Sequence, residues 1–377
     1  MPENIFSRKK KIHEIFRDER VLYPEFLPES LPHREKEIEA LSFCFKPVLL
    51  GKKPVNAVVV GSPGTGKTVS SKFVFSQLEE FSGRAKSLYV NCFEFSSRNA
   101  VLFLLANFVG AAIPRRGLAT DEIYSRMLEH LKKADFIPII VLDEADQLIS
   151  KEDGSKLLYD LLRVTETEKI LLGLVLISND FDLTSSLDSR VKSSLSPESI
   201  VFEKYYPAEL KDILNERAEF AFMDNVLEKD VINVAAAHSA KLGGDARIGI
   251  ESLLKAGRIA EKENSDKVSL VYLRQAFSSM DSALLSKALP FLSEQEKIIL
   301  ELISSFNGVF SGKLYEKYSK TKEHLELRSF RSTISKLESM NLISAPLIEV
   351  KPKGKSKFIS LKIPKEALQK FLKEKVK

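Results

Sequence analysis

The chain has 377 residues, of which 44% are hydrophobic and 29% are charged, as is typical of a globular protein of two or three domains. Its two cysteines, Cys44 and Cys92, exclude a disulfide framework and a four-cysteine zinc site, and the longest apolar stretch, residues 100–113, is too short to cross a bilayer. The net charge is +5, but residues 345–377 alone carry +7, which indicates either a polyanionic partner or a solvated terminus at that end.

The N-terminal part of the chain is predicted to be an extension of the main fold. It starts with a basic run, residues 1–11, that lacks the apolar core of a secretory signal. The low cysteine content is typical of a reducing, intracellular compartment. A stretch punctuated by prolines follows. A helix is predicted at residues 32–45, because proline suits the first turn of a helix.

Five short apolar runs alternate with longer helical patterns between residues 55 and 206. Near-continuous apolar strands separated by helices are typical of a parallel sheet that is covered on both faces. The predicted strands are residues 55–61, 87–92, 137–146, 170–179 and 199–205.

After Pro207 the strand pattern stops, and successive amphipathic helices indicate an all-α domain. Gly243 and Gly244 are predicted to end one helix, and Asp245 is predicted to cap the next. From about residue 290 three helices and then two strands around a turn rich in lysine and glycine are predicted. This order is that of a winged-helix domain.

The strongest motif is GSPGTGKT at residues 61–68, which follows the first predicted strand and opens a helix. It fits the P-loop pattern, in which glycines let the backbone wrap closely around phosphates. Lys67 is predicted to contact the β- and γ-phosphates of a nucleotide, and Thr68 to ligate Mg²⁺. The alternative is a glycine turn with a surface lysine, which the surrounding strand and helix disfavour. The predicted nucleotide-binding residues of this segment are Gly61, Ser62, Pro63, Gly64, Thr65, Gly66, Lys67, Thr68 and Val69.

Three further motifs place polar groups where α/β sheets bind ligands. In IIVLDEAD, Asp143 is predicted to hold Mg²⁺ and Glu144 to orient or deprotonate the attacking water. In ISND, Asn179 is predicted to position that water or to sense the γ-phosphate. In GGDAR, Arg247 opposes the dipole of its helix, which favours a contact with a nucleotide phosphate. The alternatives are an acidic turn, an asparagine turn and a surface arginine. The five histidines show no ligand spacing, so no metal other than Mg²⁺ is expected.

These motifs, with LPHREKEI before them and LDSRVKSSL and YYPAELKDILNERAEFAF between ISND and GGDAR, occur in one order ahead of the winged-helix pattern. The chain resembles the archaeal origin-recognition initiators, the AAA+ relatives of the eukaryotic origin recognition complex and its cell-division-control partner. The resemblance implies an α/β AAA+ P-loop domain with a parallel sheet, an all-α lid domain and a C-terminal winged-helix domain. The domain ranges predicted on this basis are residues 1–206, 207–285 and 286–377.

The resemblance also implies roles for single residues. Lys67 and Thr68 match the Walker A positions, Asp143 and Glu144 the Walker B pair, and Asn179 and Arg247 the first and second sensors. Arg190, in LDSRVKSSL, matches the arginine finger that acts on a neighbouring subunit, because a planar guanidinium can pair with the phosphate oxygens. Lys192 is close by, and a structural arginine at a helix end is the alternative.

The family carries a helical insertion that contacts DNA, and residues 98–120 lie where it belongs. Its tip holds Arg115 and Arg116, which are predicted to reach phosphates or a minor groove, unless this is a solvated basic loop.

In the predicted recognition helix, Leu327, Phe330, Ile334 and Leu337 are expected to face the core. The opposite stripe is predicted to contact DNA and consists of Arg328, Arg331, Ser332 and Ser335. The wing is predicted to contact the DNA backbone through Lys351, Lys353, Lys355 and Lys357. The alternative for this domain is a protein-interaction module.

The hypothesis that follows is an ATP-dependent initiator that binds double-stranded origin DNA and helps to recruit or load the replicative helicase. ATP or ADP and Mg²⁺ are the expected cofactors, and a paralogous initiator is the expected partner on DNA. Slow hydrolysis used as a switch and a cytoplasmic, nucleoid-associated location are implied by the resemblance, with no membrane partner. Two alternatives stay open, a nucleotide-gated transcriptional or signalling ATPase and a module that retains its nucleotide without using it.

Overall fold

The structure is a computed structural model that describes residues 14–321, 325–340, 342–350 and 354–374. The chain forms two compact units. The first consists of residues 16–222 and 232–251, and the described part of the second consists of residues 14–15, 223–231, 252–321, 325–340, 342–350 and 354–374. None of the helices in these ranges combines the length and the apolar composition that a membrane crossing requires.

The first unit contains a five-stranded sheet in the order β2-β3-β4-β1-β5. All its strand pairs are parallel, which confirms the predicted sheet. Each strand begins and ends within three residues of its predicted position. The strands are β1 (Ala57–Gly61), β2 (Ala85–Asn91), β3 (Ile137–Asp143), β4 (Gly173–Ser178) and β5 (Glu198–Phe202).

Successive residues of the central strands point to opposite faces of this sheet. Val58 and Leu142 belong to one buried cluster, and their neighbours Val59 and Val141 belong to another. Both faces are therefore covered, which explains why the strands are apolar at nearly every position. The helices of this unit are α1 (Glu35–Phe45), α2 (Lys67–Phe81), α3 (Arg98–Phe108), α4 (Thr120–Leu131), α5 (Asp146–Ile149), α6 (Glu152–Thr167), α7 (Ser189–Leu195), α8 (Pro207–Ala221), α9 (Val231–Lys241) and α10 (Ala246–Lys262), the last of which continues into the second unit.

The first helix starts later than predicted. It begins at Glu35 instead of residue 32, because His33 adopts a φ of +64°, which a right-handed helix does not allow. Asp245 caps α10 as predicted, with its Oδ1 accepting a hydrogen bond from the Arg247 N–H at 2.9 Å.

The second unit contains the predicted three helices and hairpin of a winged helix. Its long strand β9 pairs antiparallel with β6, β7 and β8. One helix at the C-terminal end, α15, is absent from the prediction. The helices are α11 (Leu270–Ala288), α12 (Glu294–Ser304), α13 (Ser311–Tyr318), α14 (Leu327–Ser339) and α15 (Lys365–Glu374), and the strands are β6 (Val309–Phe310), β7 (Ile343–Ser344), β8 (Leu347–Val350) and β9 (Gly354–Leu361).

Helix α14 packs its predicted face into the core of this unit, with one exception. Phe330, Ile334 and Leu337 are buried, and the Phe330 ring lies 5.1 Å from that of Tyr315. The prediction for Leu327 is wrong, since this residue is 42% exposed. Leu327 is the first residue of α14, one turn before the buried contact surface of the helix begins at Phe330.

Candidate functional site

The candidate site lies at the carboxyl edge of the parallel sheet. Strand β4 lies between β1 and β3, so the loops that follow these three strands meet at one edge. They carry the P-loop after Val60, Asp143 at the end of β3 and Asn179 after β4. Motifs that are more than 30 residues apart in the sequence are therefore neighbours in the fold.

The P-loop needs its glycines both for backbone conformation and for space. Gly64 and Gly66 have φ angles of +71° and +94°, in the left-handed region that side chains disfavour. A Cβ on Gly64 would overlap the Asp245 carboxylate, and one on Gly61 would lie 2.5 Å from the Phe202 carbonyl oxygen. The loop is thus held in one shape by its neighbours. Pro63 is exposed, while Ser62 and Val69 are half-buried.

Lys67 begins α2 and is buried, with its ammonium aimed across the sheet edge. Its Nζ donates to the carbonyl oxygens of Gly61 and Ser62, at 2.8 and 2.9 Å, and to Asn179 Oδ1 at 3.0 Å. Burial lowers the pKa of Lys67 from 10.5 to about 8, and the nearby Arg247 adds to this, against the opposing effect of the carboxylates. The structure therefore brings Lys67 and Asn179 together, as expected of two residues predicted at the same edge of the sheet.

Asp143 meets Thr68 of the P-loop. Thr68 Oγ1 donates to Asp143 Oδ2 at 2.8 Å, and the other carboxylate oxygen accepts from the Glu144 N–H at 3.0 Å. Glu144 has a φ of +54°, a strained conformation for a non-glycine residue that is often found at functional sites. Burial, together with the charges of Asp143 and Asp146, raises the pKa of the Glu144 carboxyl.

This pair of oxygens fits Mg²⁺, which takes hard oxygen ligands and binds through one or two protein groups plus phosphates. Thr68 Oγ1 and Asp143 Oδ2 lie 2.8 Å apart, so one ion could contact both oxygens. Over the described part of the chain, no three His, Cys, Asp or Glu side chains gather into a group that could hold a metal by themselves.

Arg247 lies beside the P-loop but is paired with Asp245. Its Nε and Nη2 donate to the two Asp245 oxygens at 3.0 and 2.7 Å. The preceding residue contacts the P-loop itself, since the Ala246 N–H donates to the Gly64 carbonyl at 3.3 Å. Arg247 therefore lies close to the site. To contact a phosphate, its guanidinium must divide its hydrogen-bond donors between Asp245 and the phosphate, or break its pair with Asp245.

Arg190 lies elsewhere on the first unit. It is in the first turn of α7, its side chain is 75% exposed, and its Nε donates to Asp188 Oδ1 at 3.2 Å. Its guanidinium is 5.8 Å from the Tyr159 ring, at the rim of a cleft of about 340 Å³ that Arg98 also lines. None of the contacts described for Arg190 involves residues 61–69.

The arginines and serines predicted to contact DNA are exposed. Arg115 and Arg116 lie in an exposed turn after α3. One face of α14 is exposed and carries Arg328, Arg331, Ser332 and Ser335. Lys351 and Lys353 lie outside the described residues.

The other two wing lysines lie on β9. The backbone of Lys355 pairs there with Glu349. Lys357 Nζ donates to Glu338 Oε2 at 3.3 Å, so its ammonium is tied back to α14.

Two residues at the site are not among the predicted site residues, Arg34 and Asp245. Arg34 is 3% exposed and donates to the carbonyl oxygen of Thr65 in the P-loop. The sequence predicts Asp245 only as a helix cap. The one sequence signal for Arg34 is its place in LPHREKEI, ahead of an acidic first turn. No local pattern reveals its contact, because Thr65 is 31 residues further along the chain.

A parallel sheet that presents a P-loop, an acidic strand end and a polar strand end at one edge, followed by helices and a winged helix, defines an AAA+ ATPase. Comparison with protein-family models agrees. Residues 53–185 match the AAA domain model, and residues 211–278 match the Cdc6 AAA+ ATPase-type lid domain. The nucleotide-binding function belongs to this class.

Comparison with known proteins gives the family. The chain is 35% identical over 380 residues to an ORC1-type DNA replication protein of Pyrococcus abyssi, covering 96% of this chain and 90% of the relative. It is 34% identical over 373 residues to ORC1-type DNA replication protein 1 of Sulfurisphaera tokodaii, with 96% and 94% covered. The chain belongs to the ORC1-type DNA replication proteins, the archaeal replication initiators, which confirms the resemblance.

Solved structures agree with this assignment. The Aeropyrum pernix ORC1 protein in complex with DNA matches with a TM-score of 0.72 and 34% identity, over 96% of this chain and 97% of that one. The ADPNP-ADP complexes of the Aeropyrum pernix ORC2 protein match with a TM-score of 0.73 and 25% identity, over 96% and 99%. The predicted fold class of AAA+ base, lid and winged helix is confirmed.

Proposed function

We propose that this protein binds double-stranded origin DNA under the control of bound ATP and helps to recruit or load the replicative helicase. The observation that carries the proposal is the pair of hydrogen bonds Lys67–Asn179 and Thr68–Asp143, because they join groups from three strand ends into one cluster that suits a nucleotide phosphate. The same chain carries a winged helix with an exposed basic helix face. The DNA complex of the Aeropyrum pernix relative supports the DNA partner.

In the proposed ATP site each group acts through its position. Lys67 contacts the β- and γ-phosphates in place of its present carbonyl partners, and Thr68 and Asp143 hold Mg²⁺. Bound Mg²⁺ supplies charge neutralisation at the phosphate oxygens. Glu144 orients or deprotonates the attacking water, and its raised pKa suits a group that exchanges a proton. Asn179 links that water or the γ-phosphate to Lys67.

Two arginines complete the proposed machinery. Arg247 contacts a phosphate from the first turn of α10, and its bond to Asp245 limits how far it moves. Arg190 serves the nucleotide of a neighbouring subunit, a role that its exposure supports. Assembly of paralogous or identical initiators on DNA would bring such a finger to its site.

The proposed DNA contacts fall into three groups. Arg115 and Arg116 contact phosphates or a minor groove from the turn after α3. The exposed face of α14 enters the major groove, with Arg328, Arg331, Ser332 and Ser335. The wing follows the backbone, with Lys351, Lys353, Lys355 and Lys357, the last after release from Glu338.

We further propose the domain ranges 1–206, 207–285 and 286–377, with hydrolysis slow enough for ATP to act as a switch. A nucleoid-associated location in the cytoplasm follows from an origin-DNA partner. Membership of the initiator family favours this function over a transcriptional or signalling ATPase.

The test is to incubate the purified protein with fragmented genomic DNA of its source at about 0.15 M salt, with ATP or with ADP, and to sequence the retained DNA. At this salt, binding that depends on lysine–phosphate contacts alone is already weakened. The proposal requires sharp enrichment at one or a few loci and a difference between the two nucleotides. Uniform retention that fades with added salt would refute sequence-specific initiation.

Variants locate the activity. Replacing Arg328 and Arg331 with alanine is expected to abolish enrichment, whereas Arg126→Ala, which removes an exposed arginine of α4, is a matched control. Glu144→Gln distinguishes a switch from a module that holds nucleotide passively, because only a switch needs this carboxylate. Helicase recruitment is tested by retention of the replicative helicase of the same source on origin DNA, with and without this protein.

A further inference from the structure

Arg34 is an arginine whose charge is almost completely removed from water, at 3% exposure. Burying a guanidinium is unfavourable unless its donors find acceptors. Its Nε donates to the Thr65 carbonyl at 2.8 Å and its Nη2 to the Glu203 carbonyl at 2.7 Å. Its Nη1 donates to the His33 carbonyl at 2.8 Å and to Glu37 Oε1 at 3.3 Å. The acceptors are mostly backbone groups of separate segments, so the side chain joins them.

The guanidinium of Arg34 also lies close to two aromatic rings. Its central carbon lies 3.8 Å from the centre of the Tyr205 ring and 5.4 Å from that of Phe202. A cation over an aromatic ring that is shielded from water is strongly attracted to it. Tyr205 also limits the P-loop directly, since a Cβ on Gly66 would lie 2.8 Å from its hydroxyl oxygen. Arg34 and Tyr205 therefore pack together against the backbone of the P-loop.

The bond to Thr65 bears on phosphate binding through the geometry of one peptide group. The Thr65–Gly66 peptide is planar and trans, so its carbonyl and its N–H point in opposite directions. Holding the Thr65 carbonyl on Arg34 therefore turns the Gly66 N–H away from the guanidinium. Gly64 and Gly66, on either side of Thr65, have positive φ angles, and glycine by itself restricts the backbone little, so contacts with neighbouring groups such as Arg34 must fix the loop.

We propose that Arg34 is a positioning residue of the nucleotide site, which sets the P-loop backbone, and the Gly66 N–H in particular, in the conformation that accepts phosphates. This inference rests on the proposed nucleotide site. The role requires an arginine, because a lysine has neither the planar fork that reaches Thr65 and Glu203 together nor the flat face that stacks on Tyr205. Arg34 acts through the backbone of the loop.

The experiment measures the dissociation constants of fluorescent ADP and ATP analogues for the full-length protein and its variants. Arg34→Lys and Arg34→Gln are expected to weaken both nucleotides by about tenfold to a hundredfold, the range that corresponds to loss of a charge-assisted hydrogen bond. ADP and ATP should weaken alike, because the P-loop holds the phosphates that they share. Arg34→Lys should lose less nucleotide affinity than Arg34→Gln, since lysine keeps the positive charge.

Arg217→Gln is the matched structural control. Arg217 is half-buried in the same unit, donates to the Val21 carbonyl at 3.0 Å and lies 4.9 Å from the centre of the Phe26 ring, but these partners are outside the P-loop. Both Arg34→Gln and Arg217→Gln are expected to lower the melting temperature, while only the Arg34 variants weaken nucleotide binding. An equal loss of affinity in Arg217→Gln would overturn the proposal, because it would show a general effect of stability.

Hydrogen exchange gives a readout that does not depend on affinity. In the folded, nucleotide-free Arg34→Lys variant, amides of residues 61–68 are expected to exchange at least several times faster than in the native protein, while those of β3 are unchanged. Unchanged exchange in this loop, or dissociation constants within twofold of the native values for Arg34→Lys, would refute the positioning role.

Lys67→Ala separates this inference from the proposed function. If Lys67→Ala and the native protein bind nucleotide equally, the proposed site itself is wrong. If Lys67→Ala loses binding and the Arg34 variants keep it, the site stands and only the role of Arg34 is refuted.

Discussion

Nucleotide binding by this protein is expected to weaken as the pH rises through 8. Burial lowers the pKa of the Lys67 ammonium from 10.5 to about 8, and only the charged form attracts phosphates. With a pKa of about 8, roughly nine tenths of the protein carries the charge at pH 7 and roughly one tenth at pH 9. The apparent affinity for ADP should therefore fall about tenfold between these two pH values.

The same shift predicts how the stability of the nucleotide-free protein responds to pH. Between about pH 8 and 10.5 the unfolded chain holds a proton on Lys67 that the folded protein has released. The contribution of this group to the free energy of unfolding therefore rises with pH in that window, by up to about 3 kcal/mol. Phosphate binding reverses the balance, because it favours the charged lysine.

The assay is a titration with a fluorescent ADP analogue from pH 7 to 9 at constant ionic strength. Lys67→Arg provides the control, because an arginine stays charged over this range, so its affinity should be weaker but independent of pH. Calorimetry in two buffers of different ionisation heat gives the protons taken up on binding, about one per nucleotide at pH 9 and about a tenth of that at pH 7. An affinity that does not change with pH, or no proton uptake at pH 9, would refute the reasoning.

Three further predictions concern single side chains. Gly64→Ala should abolish nucleotide binding, because its Cβ would overlap the Asp245 carboxylate at a φ of +71°, whereas Gly83→Ala, with no atom within 4 Å of the new Cβ, should bind normally in the same titration. Asp245→Asn keeps a helix cap but loses the charged pair with Arg247. The rate of ATP hydrolysis in single-turnover assays should therefore change, while the melting temperature changes little. A fall in melting temperature with an unchanged hydrolysis rate would contradict this. Phe330→Ala should destabilise the winged helix by about 3–5 kcal/mol and abolish DNA binding in gel-shift assays, with ADP affinity unchanged; retained DNA binding would count against the α14 interface.

Local patterns were sufficient for much of the fold. An apolar run that must be covered on both faces is visible without knowing its neighbours, so β1 to β5 were each placed to within three residues. The P-loop was equally visible, because its glycines are required by local backbone geometry at Gly64 and Gly66. The exposed stripe of α14 follows from the helical period alone.

Other features depend on contacts that no local pattern contains. Helix α14 has the predicted period, yet Leu327 is exposed because the core beneath that helix begins one turn further along. Lys357 belongs to a basic wing in the sequence, but the fold brings it to Glu338. Such outcomes depend on which surfaces meet, and the periodicity of one element does not specify its partner.

The nucleotide site shows the same division. The sequence by itself determined the phosphate-binding loop, the acidic end of β3 and the polar end of β4, because each is a short run with its own steric and chemical requirement. Only the tertiary structure decided that Arg34 donates a hydrogen bond to the Thr65 carbonyl and that Asp245 pairs with Arg247 beside Gly64. The physical reason is that a buried charge is stable only where the fold delivers its acceptors, and those come from distant parts of the chain.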